Sequence, residues 1–337
     1  MAVRVGVNGF GRIGRNFFRA ALRSGEMEVV AINDLVPPDT NAHLLKYDTT
    51  YGKLSETVEV GDDAIVVDGK EIKVFAEKEP KAIPWSDVGV DLVVESTGIF
   101  TDGPSASAHI DAGAPFVLIS APAKEVSKTF VYGVNHDAFD PDEDKVTSAA
   151  SCTTNCFVPM VKVLDDAFGV EKGLMTTAHA YTNDQSLQDF AHKDMRRARS
   201  APNNIIPAST GAARATGQVL TEMEGKLDGT ALRVPVPCGS ITDFTAVLGQ
   251  EASVDEINDA FRQAASGDDE LGHVLDYSEE PIVSSDIVGT QASCTFDSDL
   301  TFSLGNLVKV LGWYDNEWGY SCRLVDMGLI IGAANQQ

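Results

Sequence analysis

The chain has 337 residues, and its 26 Lys and Arg against 50 Asp and Glu give a formal net charge of −24. This charge argues against binding to nucleic-acid phosphates or to an anionic membrane surface, because both need a basic face. Hydrophobic residues make up 43% of the chain, which excludes an acidic disordered protein. The length suggests roughly two domains.

The acidic residues are spread along the chain rather than gathered in one tail. Repulsion between so many like charges weakens a compact state at low salt, and salt screens it. We therefore expect adaptation to a high-salt cytoplasm, with an ordinary acidic soluble protein as the alternative. The N-terminus lacks a signal-peptide pattern, and no apolar run approaches the ~20 residues of a membrane span. A cytoplasmic protein is expected.

Strand and helix patterns alternate in the first half of the chain, which predicts a mostly parallel sheet. The predicted elements, in chain order, are a strand at 2–7, a helix at 12–24, and strands at 28–33, 90–94, 115–119, 129–134 and 146–149. Gly25 is suited to end the helix in a left-handed conformation. Asp68-Gly69 predicts a type I′ hairpin turn between two short strands.

Longer predicted strands appear after about residue 150. The predicted elements are helices at 153–167 and 253–265 and strands at 173–181, 230–236, 240–249 and 306–314. The expected fold is α/β, with a Rossmann-type doubly wound parallel sheet over 1–150 and a second α+β catalytic domain of largely antiparallel sheet over 151–316. The apolar C-terminal segment, 317–337, is expected to be a helix that completes the first domain.

A glycine triplet, Gly9-x-Gly11-x-x-Gly14, lies between the first predicted strand and helix, and Asp34 ends the second strand. Glycines at this spacing allow a tight turn and close approach of the backbone to a pyrophosphate, which the helix N-terminus binds. A carboxylate at Asp34 accepts hydrogen bonds from the adenosine ribose and repels a 2′-phosphate. The pattern predicts an NAD site, with NADP as a weaker alternative.

Cys152 and His179 are the candidates for a catalytic pair. Ser151 is a good helix cap after a predicted strand, so Cys152 lies at a helix N-terminus, where the dipole lowers a thiol pKa. His179 falls near the end of a predicted strand, and pairing with histidine is the usual route to a reactive thiolate. Cys156, one turn further, is expected to be a small buried residue. No Cys/His set with ligand spacing surrounds them, so no metal is expected.

Basic residues are conspicuous in so acidic a chain. The run at 192–199 contains three arginines within four positions. It is expected to hold an anion or to pair with acids across a subunit contact. Arg233 stands alone in an apolar strand, where we favour an anionic ligand over an ion pair.

These motifs together resemble those of the glyceraldehyde-3-phosphate dehydrogenase family, over essentially the whole chain. The similar segments are NGFGRIGR at 8–15, IND at 32–34, ESTG at 95–98, SCTTNC at 151–156, HAYTNDQ at 179–185, RRAR at 196–199, STGAA at 209–213, LRVPVP at 232–237 and WYDNEWGYS at 313–321. The resemblance implies phosphorylating oxidation of D-glyceraldehyde 3-phosphate to 1,3-bisphosphoglycerate with NAD. It also implies a homotetramer, with a loop over 181–203 between subunits.

The resemblance further implies roles for matching positions. Cys152 would be the nucleophile, passing through a hemithioacetal and a thioester, and His179 would activate it. The positions that would bind inorganic phosphate are Ser151, Thr153, Arg197, Thr210 and Gly211. The positions that would hold the substrate's own phosphate are Thr182 and Arg233. The positions that would contact NAD are Gly9, Gly11, Arg12, Ile13, Gly14, Asp34, Lys78, Thr97, Gly98, Ser120 and Asn316.

Two departures from the family pattern bear on the cofactor. Phe190-Ala191 stands where NAD-preferring members usually have an apolar residue and proline, and Lys78 stands where arginine is common. We therefore expect NAD preference with some use of NADP. The alternatives are an erythrose-4-phosphate dehydrogenase and a non-catalytic NAD-binding module, and the intact Cys152/His179 pair argues against the second.

Overall fold

The computed structural model describes residues 2–336. Contacts divide the chain into two compact units, which are described separately. The first unit comprises the chain up to Phe130, His136–Ala150 and the chain from Ser321 onwards. The second unit comprises Val131–Asn135 and Ser151–Tyr320. The predicted division differs at 131–135, which belong to the second unit, and at the return to the first unit, which comes at Ser321.

The first unit is built on a nine-stranded sheet. Its strands and those of a small two-stranded sheet are β1 (Val3–Asn8), β2 (Met27–Asn33), β3 (Tyr47–Asp48), β4 (Gly52–Lys53), β5 (Val58–Gly61), β6 (Ala64–Val67), β7 (Lys70–Phe75), β8 (Leu92–Glu95), β9 (Val117–Ile119), β10 (Lys128–Thr129) and β11 (Val146–Ser148). The order is β10-β11-β9-β8-β1-β2-β7-β6-β5, and β3 pairs with β4. The seven strands from β10 to β7 are parallel, and β6 and β5 are added antiparallel.

The helices of this unit are α1 (Arg12–Ser24), α2 (Pro38–Lys46), α3 (Trp85–Val88), α4 (Gly103–Ala106) and α5 (Ala108–Asp111). Gly25 ends α1 with a φ of 70°, as predicted. Asp68 and Gly69 both have positive φ, 47° and 79°, which a type I′ turn requires. β2 lies on one side of β1 and β8 lies on the other, so the order in which strands are added to the sheet reverses at β1. Folds of this kind bind ligands at that point.

The second unit is built on an eight-stranded, largely antiparallel sheet. Its strands are β12 (Val170–Ala180), β13 (Ile206–Ser209), β14 (Leu227–Val234), β15 (Ser240–Leu248), β16 (Leu275–Ser278), β17 (Cys294–Asp297), β18 (Phe302–Leu304) and β19 (Leu307–Tyr314). The order is β13-β14-β12-β15-β19-β17-β16, with β18 on β19. The helices are α6 (Cys152–Phe168), α7 (Ala212–Val219), α8 (Val254–Ala265) and α9 (Glu270–Val274).

One face of this second sheet is buried and the other is half exposed. Along β15, buried and half-exposed residues alternate at every position, the period expected of a strand with one covered face. The covered face meets α6, where Phe157 packs edge-on against Phe244 with ring centroids 4.8 Å apart. The fold class predicted from the sequence is confirmed.

The last helix, α10 (Trp318–Ala334), carries the chain back into the first unit. There Asn335 Nδ2 donates to Asp91 Oδ1 at 2.9 Å, which ties the C-terminal segment to the start of β8. The part of the chain that the structure describes also contains six 3₁₀ helices, at Pro80–Ala82, His136–Ala138, Ala201–Asn203, Thr221–Met223, Ser284–Ile287 and Ser298–Leu300. None of the helices between residues 2 and 336 is long and apolar enough to cross a membrane.

The strand predicted at 129–134 is wrong beyond its first residue. β10 ends at Thr129, and residues 131–134 form a turn. Gly133 has a φ of 85°, and the Val131 amide donates to the Asn135 side chain at 2.8 Å. A short apolar run reads as a strand, but these two features close it into a turn. Elements too short for a periodic signal, α2, α7 and β13 among them, were not predicted.

Candidate active site

Cys152 is the first residue of α6, directly after a tight turn. Ala150, two residues before Cys152, has a φ of 57°, an uncommon conformation for a residue with a side chain. Ser151 caps the helix, its Oγ accepting from the Thr154 amide at 3.0 Å. The backbone amides of Cys152 and Thr153 act to lower the pKa of the thiol. This geometry places the sulfur at the positive end of a 17-residue helix.

His179 lies beside this thiol, near the end of β12. Its Nε2 is 3.4 Å from Cys152 Sγ, and the side chain is 4% exposed. On the other side of the ring, Nδ1 lies 2.6 Å from Nη1 of Arg233 and 2.6 Å from the carbonyl oxygen of Ala180. Three residues that are far apart in sequence therefore form one chain of contacts from thiol to imidazole to guanidinium.

Burial keeps both the thiol and the imidazole neutral in this arrangement. It raises the pKa of Cys152 to about 11, although the Arg233 charge and the helix amides act in the opposite direction. Burial, together with the Arg233 charge, lowers the pKa of His179 to about 3. The expected lowering of the thiol pKa by the helix dipole is therefore not observed, because the loss of solvation outweighs it.

Tyr314, at the end of β19, fixes the two elements that carry the pair. Its hydroxyl lies 2.9 Å from Oγ1 of Thr153 on α6 and 2.8 Å from Oγ1 of Thr177 on β12. Its ring meets the His179 ring edge to face, with centroids 5.9 Å apart. Burial raises the pKa of Tyr314 well above its usual value, so the hydroxyl stays neutral. The hydrogen bonds hold the thiol and the imidazole in a fixed relation.

A second cluster, on the loop after β12, contains hydrogen-bond donors that suit an anionic ligand. The Asp184 carboxylate accepts from the Thr182 hydroxyl and from Nη1 of Arg197 at 2.8 Å. The charges of Asp184 and Arg197 both influence the pKa of His179. Nε of Arg233 and Nε2 of Gln185 are buried without a hydrogen-bond partner among residues 2–336. Unpaired buried donors are costly, and an anionic ligand would satisfy them.

The remaining residues predicted to bind phosphate have structural hydrogen bonds here. The Thr153 hydroxyl is held by Tyr314, and Ser151 caps α6. Thr210 Oγ1 accepts from the Ala212 amide at 3.2 Å, at the start of α7, and Gly211 is the cap residue of that helix. The structure thus brings His179 into contact with both Cys152 and Arg233. Thr210 and Gly211 lie at the start of another helix, α7.

The predicted cofactor residues of the first unit meet at the carboxyl ends of its parallel strands. A Cβ on Gly9 would lie 2.7 Å from the Thr97 amide, and one on Gly14 would lie 2.2 Å from the Gly9 carbonyl. These two glycines are therefore required by packing. A Cβ on Gly11 would meet nothing within 4 Å, so this position, at the N-terminus of α1, leaves space for a ligand's phosphates.

Asp34, directly after β2, faces the same loop. Its Oδ2 accepts from the Phe10 amide at 2.6 Å, and its Oδ1 accepts from the Val36 amide at 2.9 Å. The next side chain, Leu35, is apolar and 60% exposed. A carboxylate flanked by an apolar residue suits ribose hydroxyls and not a further phosphate.

The other predicted cofactor residues follow neighbouring strands or lie elsewhere. Thr97 and Gly98 follow β8, Ser120 follows β9, and exposed Lys78 follows β7. Ile13 lies in the first turn of α1 beside Arg12, whose guanidinium pairs with Asp48. Asn316 is in the second unit, where its Oδ1 accepts from the Gly239 amide at 3.2 Å and from the Ser240 hydroxyl at 3.0 Å.

Comparison with known proteins identifies the family. The glyceraldehyde 3-phosphate dehydrogenase NAD-binding domain matches residues 3–103, and the C-terminal domain of the same family matches residues 151–316. Glyceraldehyde-3-phosphate dehydrogenase of Streptomyces coelicolor is 59% identical over 98% of this chain and 99% of its own length. That of Mycobacterium tuberculosis is 57% identical over 98% and 99%. The chain belongs to the glyceraldehyde-3-phosphate dehydrogenase family.

Membership of the glyceraldehyde-3-phosphate dehydrogenase family makes the chain an NAD-dependent oxidoreductase, with the glycine loop inside the family's NAD-binding domain. The glycine triplet and Asp34 fit that cofactor, because Gly11 leaves open space at a helix N-terminus. No group of three His, Cys, Asp or Glu side chains within residues 2–336 is arranged to hold a metal ion.

The basic run at 192–199 pairs with acids of its own loop. Besides the Arg197 contact with Asp184, Arg199 Nε lies 3.0 Å from Asp189 Oδ2. Cys156, as predicted, is fully buried. Its Sγ lies 3.6 Å from the Gly312 carbonyl oxygen.

Sequence reasoning missed three groups in this member of the glyceraldehyde-3-phosphate dehydrogenase family. Tyr314 lies in the WYDNEWGYS segment, and Asp184 lies in HAYTNDQ. Both segments are among those that resemble the family. However, no local sequence pattern distinguishes Tyr314 or Asp184 from a residue with a purely structural role. A third group is Glu95 of ESTG, a buried carboxylate beneath the cofactor loop.

Proposed function

We propose that the chain catalyses the phosphorylating oxidation of D-glyceraldehyde 3-phosphate to 1,3-bisphosphoglycerate. The observation that carries this proposal is the contact of Cys152 Sγ with His179 Nε2 at 3.4 Å, at a helix N-terminus and beside a partly buried arginine, Arg233. A nucleophile, a base and an anion-binding cation lie within one contact chain. Aldehyde phosphates offer the electrophile and the anion that this arrangement suits.

In the proposed mechanism, Cys152 gives its proton to His179 and attacks the aldehyde carbon. The amides of Cys152 and Thr153 stabilise the oxyanion of the hemithioacetal. His179 returns its proton to this oxygen to give the hemithioacetal hydroxyl, and it takes the proton back as the carbon is oxidised, which leaves a thioester on Cys152. Phosphate attacks the thioester carbon, the acyl phosphate leaves, and the thiolate is regenerated. Arg197 and Arg233 neutralise the two phosphates that flank the sulfur.

NAD bound at the glycine loop supplies the hydride acceptor. The α1 N-terminus and Gly11 would hold its pyrophosphate, and Asp34 would hold the adenosine ribose. Thr97, Gly98 and Ser120 follow adjacent strands at the same sheet edge and would line the remainder of the site. The Asp34 carboxylate supports NAD preference, with NADP as a weaker substrate.

The test is NADH formation from glyceraldehyde 3-phosphate with and without inorganic phosphate, repeated with NADP. We expect phosphate-dependent NADH formation and a slower reaction with NADP. Cys152→Ser should abolish activity and still bind NAD, and His179→Asn should leave weak activity. NADH formation that is indifferent to phosphate would contradict the acyl-phosphate step.

Two other functions remain distinguishable by experiment. For an erythrose-4-phosphate dehydrogenase, kcat/KM would be higher with erythrose 4-phosphate than with glyceraldehyde 3-phosphate in a direct competition. For a non-catalytic NAD-binding module, Cys152→Ser would retain full biological activity. The contact of Cys152 with His179 supports catalysis over the second of these.

The proposed assembly is a homotetramer in the cytoplasm. The uncovered face of the second sheet supports association, because a groove of about 920 Å³ runs across it. Leu174 on this face is 67% exposed, and Leu187, Phe190 and Met195 on the loop are 70–83% exposed. Exposed apolar patches of this kind mark contact surfaces. We further propose that the net charge of −24 adapts the enzyme to high salt.

A further inference from the structure

Glu95 is a buried carboxylate that the proposed mechanism leaves unused. It is the last residue of β8 and is 2% exposed. Its Oε2 accepts from Asn8 Nδ2 at 2.5 Å and from His109 Nε2 at 3.0 Å. Its Oε1 accepts from the amide and the hydroxyl of Thr97. A carboxylate loses solvation when it is buried, and these four hydrogen bonds offset that loss.

Backbone groups fix the direction of these hydrogen bonds from one side. The Glu77 amide donates to Asn33 Oδ1 at 2.8 Å, and Asn33 Nδ2 donates to the Glu77 carbonyl at 2.9 Å. These two contacts allow Asn33 only one orientation, in which its Nδ2 also donates to Asn8 Oδ1 at 2.8 Å. The Asn8 side chain therefore presents its Nδ2 donors, and not its oxygen, to Glu95.

An indole fixes the direction of the hydrogen bonds from the other side. Trp85 Nε1 donates to His109 Nδ1 at 3.0 Å. An indole nitrogen only donates, so Nδ1 of His109 carries no proton and Nε2 donates to Glu95. The same contact excludes an imidazolium, because a protonated Nδ1 would face the indole N–H. His109 is therefore neutral and does not compensate the charge of Glu95.

Glu95 is thus a buried anion without a counter-cation. The three N–H groups that reach it only donate hydrogen bonds, which favours the ionised carboxylate. No lysine or arginine in the described part of the chain lies within ion-pair distance of it, and the neutral His109 occupies that place. A buried charge is screened much less than an exposed one. Its field therefore extends into the space above the end of β8.

The position of Glu95 in the sheet assigns its charge to one half of the cofactor. A dinucleotide binds across the point at which the strand order reverses, with one nucleotide on each side. Asp34 follows β2, on the side of the adenosine ribose. Glu95 ends β8, on the opposite side of β1. Thr97, which Glu95 holds, lies against the glycine loop, because a Cβ on Gly9 would be 2.7 Å from its amide. The carboxylate therefore belongs to the nicotinamide half.

We propose that the Glu95 carboxylate makes the site prefer oxidised NAD to NADH. The two forms have the same phosphates and riboses, and the nicotinamide ring carries a positive charge only in the oxidised form. A buried negative charge on the nicotinamide side attracts the oxidised ring and not the reduced one. This preference favours loading of the cofactor before oxidation and release of NADH after it. The inference rests on NAD at the glycine loop, as the proposed function does, and not on the aldehyde substrate.

The net charge of −24 acts in the same direction and must be separated from Glu95. NADH is more negative than oxidised NAD by one charge, so any acidic surface disfavours it. Salt distinguishes the two effects, because exposed charges are screened within about 3 Å at 1 M salt and buried charges are screened much less. A preference that persists in molar KCl comes from a buried charge.

The test is calorimetric titration of the full-length protein with NAD, NADH and ADP-ribose in molar KCl. ADP-ribose has the phosphates and riboses but no nicotinamide ring. We expect the wild type to bind NAD more tightly than NADH. Glu95→Gln keeps the size of the side chain and removes its charge. In this variant we expect the ratio of the NADH to the NAD dissociation constant to fall about tenfold. The affinities for NADH and ADP-ribose should change by equal factors.

Two further variants separate the charge of Glu95 from its packing. Glu95→Asp keeps the charge and shortens the side chain, so it should weaken binding of all three ligands and retain the wild-type ratio. Glu59→Gln removes an exposed carboxylate of β5 and should leave the ratio unchanged in molar KCl. If Glu95→Gln weakens NAD, NADH and ADP-ribose by the same factor, the role of Glu95 is only structural and the inference is rejected.

Other outcomes separate this inference from the proposed function. A wild type that binds NADH as tightly as NAD in molar KCl rejects the inference without the use of any variant. Phosphate-dependent NADH formation, together with an unchanged ratio in Glu95→Gln, rejects the inference and leaves the function intact. A ratio that falls in Glu95→Gln supports the inference even where glyceraldehyde 3-phosphate gives no NADH, a result that rejects the function alone.

Discussion

At the residue scale, His179 couples folding stability to pH. Its pKa falls to about 3 in the fold, from an ordinary value near 6.5. Between these values the unfolded chain binds a proton that the folded chain does not, so stability rises with pH through the window and is lost as pH falls. As the pH falls through this window, we expect the free energy of unfolding of the wild type to decrease more steeply than that of His179→Asn. The slopes should differ by at most ~1.4 kcal/mol per pH unit.

Urea unfolding of both proteins at a series of pH values measures this difference. The matched control is His43→Asn, because His43 is exposed on α2. It should follow the wild-type curve. Parallel curves for wild type and His179→Asn between about pH 3 and 6.5 would contradict the lowered pKa.

At the element scale, the Tyr314 hydroxyl joins α6, β12 and β19 through Thr153 and Thr177. In Tyr314→Phe both threonine hydroxyls lose this partner inside a buried site. We expect a stability loss of about 1–3 kcal/mol and a lower kcat, because Cys152 and His179 lie on two of the elements joined. Tyr47→Phe, at a 48% exposed position, is the control. Unchanged kcat in Tyr314→Phe would show that packing alone positions the pair.

A buried carboxylate performs a similar task beneath the cofactor loop. Glu95 Oε2 lies 2.5 Å from Asn8 Nδ2 and 3.0 Å from His109 Nε2, and its Oε1 accepts from the Thr97 amide at 2.8 Å. Trp85 Nε1 donates to His109 Nδ1 at 3.0 Å, so Nε2 carries the proton toward Glu95. The carboxylate therefore links β1, β8 and α5 at the edge where the glycine loop begins.

Glu95→Gln tests this link, because its amide NH₂ would face donors where the carboxylate accepts. We expect a stability loss of about 1–3 kcal/mol and weaker NAD binding, since Thr97 and the β1 end would shift. Calorimetric titration with NAD and thermal unfolding measure the two effects. Glu59→Gln, at an exposed position of β5, should change neither. Wild-type NAD affinity in Glu95→Gln would remove Glu95 from the cofactor site.

The elements that hold the site are predictable from local signals, whereas their mutual contacts are not. β1, α1 and α6 carry apolar runs, a glycine triplet and the Ser151 cap. By contrast, Tyr314 and Thr153 are 161 positions apart, and no local pattern shows that their hydroxyls meet. The charge state of the thiol is equally a property of the fold. A helix N-terminus predicts a lowered pKa, and burial, which the sequence does not display, raises it.

At the scale of the whole molecule, charge is the unusual feature. With 26 Lys and Arg against 50 Asp and Glu, 24 acids have no cation for one-to-one pairing. Unpaired acids repel one another, and the compact state holds them closer together than the unfolded chain does. The relatives from Streptomyces and Mycobacterium indicate the family but not the salt at which this enzyme works. Salt dependence is therefore a property to be measured on this chain.

We expect the midpoint of thermal unfolding to rise from low salt to molar KCl, because screening weakens repulsion within the folded state. The same titration near the isoelectric point, about 4.5, is the internal control. There the net charge approaches zero, so the gain from screening should shrink while any general effect of the salt on hydrophobic burial persists. Equal increases in the unfolding midpoint at neutral pH and near the isoelectric point would show that the salt acts through hydrophobic burial and not through charge screening. No gain at neutral pH would reject adaptation to high salt.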